Sequence, residues 1–262
     1  MPQTLHGKIA LVTGAGSGLG AATARLFAGE GAKVALLSRA EEELLKIADE
    51  LRGSGADVLP LHADVSKPEE IQGAYQAITS KWGRLDILFA NAGVNGVWAP
   101  LDELSVEEWD STLKINLCGT FMTLKYGLPL LKVAGGSVII TASVNGTRTF
   151  SNSGATAYAC SKAGQVTLAK MAAVELAQHK IRVNVICPGW FETAIHENHE
   201  KRHLDSCQPH LLHPVGPIPL TGKHPGAPEQ VAKLALFLAS ADSDHITGSE
   251  IFIDGAQSLI QG

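Results

Sequence analysis

The sequence is poor in cysteine and carries no surplus of positive charge. Its four cysteines (Cys118, Cys160, Cys187 and Cys207) show no Cys-x-x-Cys spacing. That scatter fits reduced thiols in a cytoplasmic protein rather than a disulfide framework. A formal charge of −5 offers no basic surface for a phosphate backbone, which argues against nucleic-acid binding. The opening residues MPQTLHGK lack the apolar core of a signal peptide. No apolar run approaches the ~20 residues that cross a bilayer, so no membrane partner is expected. What is present is an apolar fraction of 45% and 27 glycines, the composition of a compact core with many tight turns. The expectation is one domain over residues 1–262.

Short apolar, β-branched runs alternate with longer helical patterns. Strands are predicted at 9–12, 34–37, 58–61, 87–89, 137–141, 183–186 and 251–253. Helices are predicted at 20–29, 41–51, 69–81, 105–131, 157–179 and 229–240. Several of the strands are apolar at every position, as when helices cover both faces. The alternation predicts an α/β, Rossmann-like, doubly wound parallel β-sheet of about seven strands in a single domain, with helices on both faces. One stretch, about 193–228, breaks the rhythm. It is polar, rich in His and Pro, and too long for an ordinary connection, so it reads as a substrate lid. His196, His199 and His203 fall at helical spacings within it, near Glu197 and Glu200, with His210 and His213 beyond. No ligand spacing there matches a structural zinc motif, so no metal is expected.

The first strand runs into Thr13-Gly14-Ala15-Gly16-Ser17-Gly18-Leu19-Gly20. Glycines at such a strand–helix junction let the backbone approach a pyrophosphate, whose charge sits at the helix N-terminus. Leu19 stands where a strict Gly-x-Gly-x-x-Gly fingerprint has its last glycine. At the end of the second strand, where an acid would bond the ribose of NAD, the sequence reads Leu37-Ser38-Arg39. Ser38 does not repel a 2′-phosphate and Arg39 pairs with one, which favours NADP(H), with NAD(H) as the alternative.

Tyr158 and Lys162 lie four residues apart in a helical pattern and share one face. A free tyrosine, with a pKa of about 10, is a poor base near neutrality; an adjacent ammonium lowers that value. Such a pair can pass a proton to a carbonyl oxygen and take it back from an alcohol. Ser143 ends the fifth strand, at the sheet edge where open α/β folds bind ligands, and its hydroxyl can hold the substrate oxygen.

In this order the motifs resemble those of the short-chain dehydrogenase/reductase family, over roughly residues 7–256. They are TGAGSGLG at 13–20, Asp64-Val65, Asn91-Ala92-Gly93, Asn116, Ser143, YACSK at 158–162 and PGWFET at 188–193. The resemblance implies a catalytic set of Asn116, Ser143, Tyr158 and Lys162. It implies that Asp64 and Val65 contact adenine and that Asn91, Ala92 and Gly93 stabilise the sheet beside the cofactor. Pro188, Gly189, Phe191 and Thr193 would hold the nicotinamide end, Lys162 would bond its ribose, and Asn116 would bend its helix and anchor a water toward Lys162. Asn95, Trp98, Val144, Asn145, Trp190 and Phe191 are the expected substrate-facing positions. The implied activity is hydride transfer between nicotinamide and a small carbonyl or alcohol, by a homotetramer. A 3-oxoacyl-[acyl-carrier-protein] reductase-like activity and a non-catalytic NADP(H)-binding sensor are the alternatives. An adenosyl-methionine methyltransferase on a similar sheet has no use for YACSK or Arg39.

Overall fold

The computed structural model describes residues 3–193, 200–207 and 216–260. Among them, seven strands form one sheet: β1 (Ile9–Thr13), β2 (Lys33–Ser38), β3 (Val58–His62), β4 (Ile87–Ala90), β5 (Gly136–Thr141), β6 (Ile181–Pro188) and β7 (Glu250–Ile253). All pairings are parallel, in the order β3-β2-β1-β4-β5-β6-β7. Each predicted strand has its counterpart, extended by a residue or two at some ends. The order reverses between β1 and β4, which opens a crevice at their carboxyl ends.

Because side chains alternate along a strand, the sheet feeds two cores. Leu11, Leu88, Val138 and Val185 point into one, shared with α3 (Pro68–Trp82), α5 (Gly119–Leu131) and α6 (Thr156–Leu176). Their neighbours Val12, Phe89, Ile139 and Ile186 enter the other, under α1 (Gly18–Gly29), α2 (Glu41–Gly53) and α7 (Pro228–Ala239). Each set is essentially inaccessible to water, so the central strands β1, β4, β5 and β6 are covered on both sides, as their apolar sequences require.

The helix predicted across 105–131 is divided. A Ser105–Glu108 capping box starts α4 (Val106–Leu113), a π-helical turn follows at Lys114–Cys118, and α5 completes the run. The wide turn puts Asn116 where side-chain donors reach its carbonyl, Thr120 Oγ1 at 2.7 Å and Gln165 Nε2 at 2.8 Å. Part of the predicted lid is also visible. Residues 200–207 lie against the loop after β4: Trp98 N–H donates to Glu200 O, and Arg202 N–H to Trp98 O, each at 2.9 Å. Arg202 then grips Glu108 through both nitrogens at 2.8 Å. His203 pairs with Glu103 at 2.7 Å, while His196, Glu197, His199, His210 and His213 lie outside the described residues.

Candidate active site

The crevice at the switch point widens into a cleft of about 540 Å³. Its floor is the glycine turn. Gly14 and Gly18 adopt left-handed φ values of 68° and 50°. A Cβ on Gly14 would come within 3.0 Å of the Asn91 amide, and one on Gly20 would run into the Gly14 carbonyl. Gly20 therefore serves helix-to-strand packing, one place beyond the strict fingerprint, which is why Leu19 is tolerated. Ser17 begins α1 without a side-chain capping bond. The leading N–H groups and the positive end of the helix are thus left for an anion. Gly14, Ser17, Gly18 and Leu19 line the cleft, whereas Gly20 lies behind it.

The adenine side is formed by Ser38, Arg39, Asp64 and Val65. Ser38 Oγ accepts from Ala40 N–H at 3.1 Å. Arg39 stands at the rim, 67% exposed, with Asp64 3.9 Å away. On the opposite wall, Asn91 ties the sheet together. Its N–H and amide donate to Thr13 at 3.0 and 3.2 Å, and its Oδ1 accepts from Thr141 Oγ1 at 3.2 Å. Ala92, Gly93, Pro188, Gly189, Phe191 and Thr193 complete the lining on that side. A glycine cradle, a helix N-terminus and an exposed arginine thus stand around one elongated cleft, and this fits a dinucleotide.

The candidate chemical groups converge at its inner end. Tyr158 lies in the first turn of α6 and Ser143 just beyond β5, both in the cleft lining, with the serine hydroxyl acting to lower the phenol's pKa. Lys162 is almost fully buried and donates to Thr141 O at 2.8 Å, with Nζ 5.5 Å from the Tyr158 ring centre. Burial holds its pKa down, to about 8. The expected lowering of the tyrosine pKa is not found. Burial raises it, and only the Ser143 hydrogen bond works the other way. The Lys162 ammonium donates to the Thr141 carbonyl, and burial is the larger influence on the phenol.

Asn116 stands outside the cleft lining and is completely buried. Its Oδ1 accepts from Val94 N–H at 2.8 Å, and its Nδ2 donates to Val94 O and Ser161 Oγ at 2.9 and 3.0 Å. Where a water toward Lys162 was expected, its carbonyl carries Thr120 and Gln165. The π-turn agrees with the expected bend at this residue. Among the expected substrate positions, Asn95, Trp98, Val144, Asn145, Trp190 and Phe191 all line the cleft.

Three amide side chains of the site escaped the sequence reading. Asn152 and Gln257 line the cleft, and Gln257 Oε1 accepts from Trp190 N–H at 2.8 Å. Gln165 holds Asn116 from behind. Only Gln165 left a signal, its spacing of three and seven residues from Lys162 and Tyr158 on one helix. No group of acidic, His or Cys side chains able to hold a metal occurs among the described residues.

A family model described as enoyl-(acyl carrier protein) reductase matches residues 14–256. A cyclohexanol dehydrogenase of Acinetobacter sp. (strain SE19) is 34% identical over 257 residues, covering 98% of this chain and 97% of its own. A 3-ketoacyl-ACP reductase from Sinorhizobium meliloti 1021 superposes with a TM-score of 0.92 at 45% identity, covering 96% and 99% of the two chains. The 3-ketoacyl-(acyl-carrier-protein) reductase from Brucella melitensis, complexed with NADH, gives 0.85 at 31% identity, covering 97% and 99%. With sheet order, glycine turn and Tyr–Lys helix all in place, the chain belongs to the short-chain dehydrogenase/reductase family.

Proposed function

We propose that this protein is an NADP(H)-dependent oxidoreductase that interconverts a small carbonyl compound and its secondary alcohol. The reading rests on one juxtaposition: Ser143, Tyr158 and Lys162 meet at the inner end of the cleft whose floor is the glycine turn. Gly14 and Gly18 with Ser17 and Leu19 would hold the pyrophosphate, Gly20 packing behind them, and Asp64 and Val65 would hold the adenine. Pro188, Gly189, Phe191 and Thr193 hold the nicotinamide, with Thr193 on the carboxamide and Lys162 on the ribose. When bound, the dinucleotide supplies or accepts the hydride. Ser143 Oγ and Tyr158 Oη hold the substrate oxygen, and Tyr158 gives it a proton in reduction. Burial that keeps the phenol protonated suits it to that direction.

NADP(H) is favoured because Ser38 and exposed Arg39 stand where a carboxylate would repel the 2′-phosphate. The family as a whole uses NAD(P)(H), and NAD(H) is the competing reading. A 3-oxoacyl-[acyl-carrier-protein] substrate is the second activity, supported by the names of the similar structures. It calls for cations at the mouth, where Arg202 is spent on Glu108 and Lys201 lies over Trp98. A binding-only sensor leaves the complete Ser143–Tyr158–Lys162 set without use. The four thiols are unpaired, in keeping with a cytoplasmic enzyme. No helix among the described residues is long and apolar enough to cross a membrane.

The test is oxidation of NADPH and NADH against a carbonyl panel by wild type and Tyr158→Phe. The variant keeps dinucleotide binding and loses turnover by at least about 10²-fold, since only the titrating hydroxyl is removed. Near-normal turnover would refute the assigned role, and a higher kcat/KM with NADH would overturn the cofactor choice.

A further inference from the structure

Beside Ser143, the loop between β5 and α6 carries a second polar feature. Asn152 Nδ2 donates to Asn145 Oδ1 at 2.8 Å, and both residues line the cleft. An amide has two donors and an acceptor. The pairing therefore leaves donors on Asn145 and an acceptor on Asn152 without hydrogen bonds among the described residues. Reversing both amides preserves the pairing and merely exchanges the two edges. In either orientation the pair keeps donors on one amide and an acceptor on the other for a ligand.

The loop holding Asn145 is rigidly built. Asn145 N–H donates to Ser143 Oγ at 3.1 Å, and Val144 O accepts from the N–H groups of residues 147, 148 and 149. Gly146, at φ 79°, passes so close to the Ala159 carbonyl on α6 that a Cβ would collide with it. Arg148 lies 3.5 Å over the centre of the Phe252 ring. The Asn145 amide is thereby fixed relative to Ser143 and Tyr158, the condition for a hydrogen bond to count in selectivity rather than be lost to ordering. Trp98 also lines the cleft, with its indole N–H occupied by Asn95 O at 3.2 Å, and the apolar side chains of Val94, Ile115 and Phe191 line it too.

We propose that Asn145 and Asn152 form a subsite for a second hydroxyl of the substrate, which makes the preferred substrate a diol or the corresponding hydroxy-ketone on an apolar body. A hydroxyl both donates and accepts, and so satisfies both edges; a hydrocarbon there would bury them unpaired. The proposal rests on the oxidoreductase reading above.

The test compares kcat/KM for cyclohexane-1,2-diol and cyclohexanol, with NADP⁺ and NAD⁺, in wild type, Asn145→Leu and Asn152→Leu. Wild type should prefer the diol by at least about tenfold, the lower range of discrimination by one well-placed group. That ratio should collapse toward unity in both variants, whatever their absolute rates. Asn152 is exposed, so its variant keeps the test valid should Asn145→Leu fail to fold. Equal or better turnover of cyclohexanol by wild type, or an undiminished ratio in folded variants, overturns the subsite while leaving the reaction class standing. Absence of turnover for either alcohol, and for the carbonyl panel above, removes the reaction class and the subsite with it.

Discussion

Lys162 shows how a single residue can set function against stability. Its ammonium is almost fully buried with one carbonyl partner, and burial brings its pKa from 10.5 to about 8. The unfolded chain therefore binds the proton more tightly. The burial penalty is complete below pH about 8 and is relieved as pH rises toward 10.5. Replacing the ammonium by Lys162→Met removes this penalty, at the cost of leaving Thr141 O without its donor. The expected net outcome is a gain on the order of 1 kcal/mol below that pH, seen as a higher Tm, together with loss of turnover. The same titration should mark the wild-type pH–rate profile for carbonyl reduction, flat on the acid side and falling as pH passes about 8. A Lys162→Met protein that melts lower than wild type, or a reduction rate indifferent to pH through that range, would contradict this account.

Among the elements, those with a clean local period were legible. Strands β1, β2, β4, β5 and β6 carry their burial in every residue or nearly so. α2 and α3 keep one apolar stripe each, with acidic first turns and a basic residue in the last. The glycine turn, Ser143 and the Tyr158–Lys162 pair were equally visible, because their chemistry is encoded within a few residues. What was hidden depends on distant partners. The π-turn at 114–118 interrupts a sequence that is helical in character on both sides, and the donors on its Asn116 carbonyl include one from 49 residues away. Gln257 reaches Trp190 over 67 residues. Nor does the composition of 193–228 disclose that Arg202 ties residues 200–207 to α4. This clamp holds the Glu108 carboxyl down to about 2, through hydrogen bonds from Arg202 and Ser105. A carboxyl lowered from 4.5 contributes stability that is present above that value and lost as pH falls through about 2. Arg202→Met should accordingly lower Tm at neutral pH, by an amount that high salt reduces and that fades as the solution approaches pH 2. A Tm difference that persists undiminished in acid would assign the loss to packing of the arginine stem instead.

On the scale of the whole molecule, the two buried cores leave a set of large apolar side chains outside them. On α6, Met171 and Val174 are 69% and 82% exposed and stand one turn apart, and Phe121 on α5 is also exposed. Among the described residues, β7 pairs only with β6 and so ends the sheet with an open edge. Its four residues are each half-buried, and exposed Leu259 and Ile260 follow it. Apolar surface of this kind and an uncovered strand edge are costly for a monomer to leave in water. Two such faces, each able to meet its own copy about a two-fold axis, close into a tetramer of dihedral symmetry. We therefore expect four chains in solution by sedimentation equilibrium, and that Met171→Glu with Val174→Glu reduces the particle to dimers by placing like charges in the α5–α6 face. Neither position touches the cleft, so a monomeric wild-type protein, or a tetramer indifferent to the two glutamates, would show that this face is not where the copies meet.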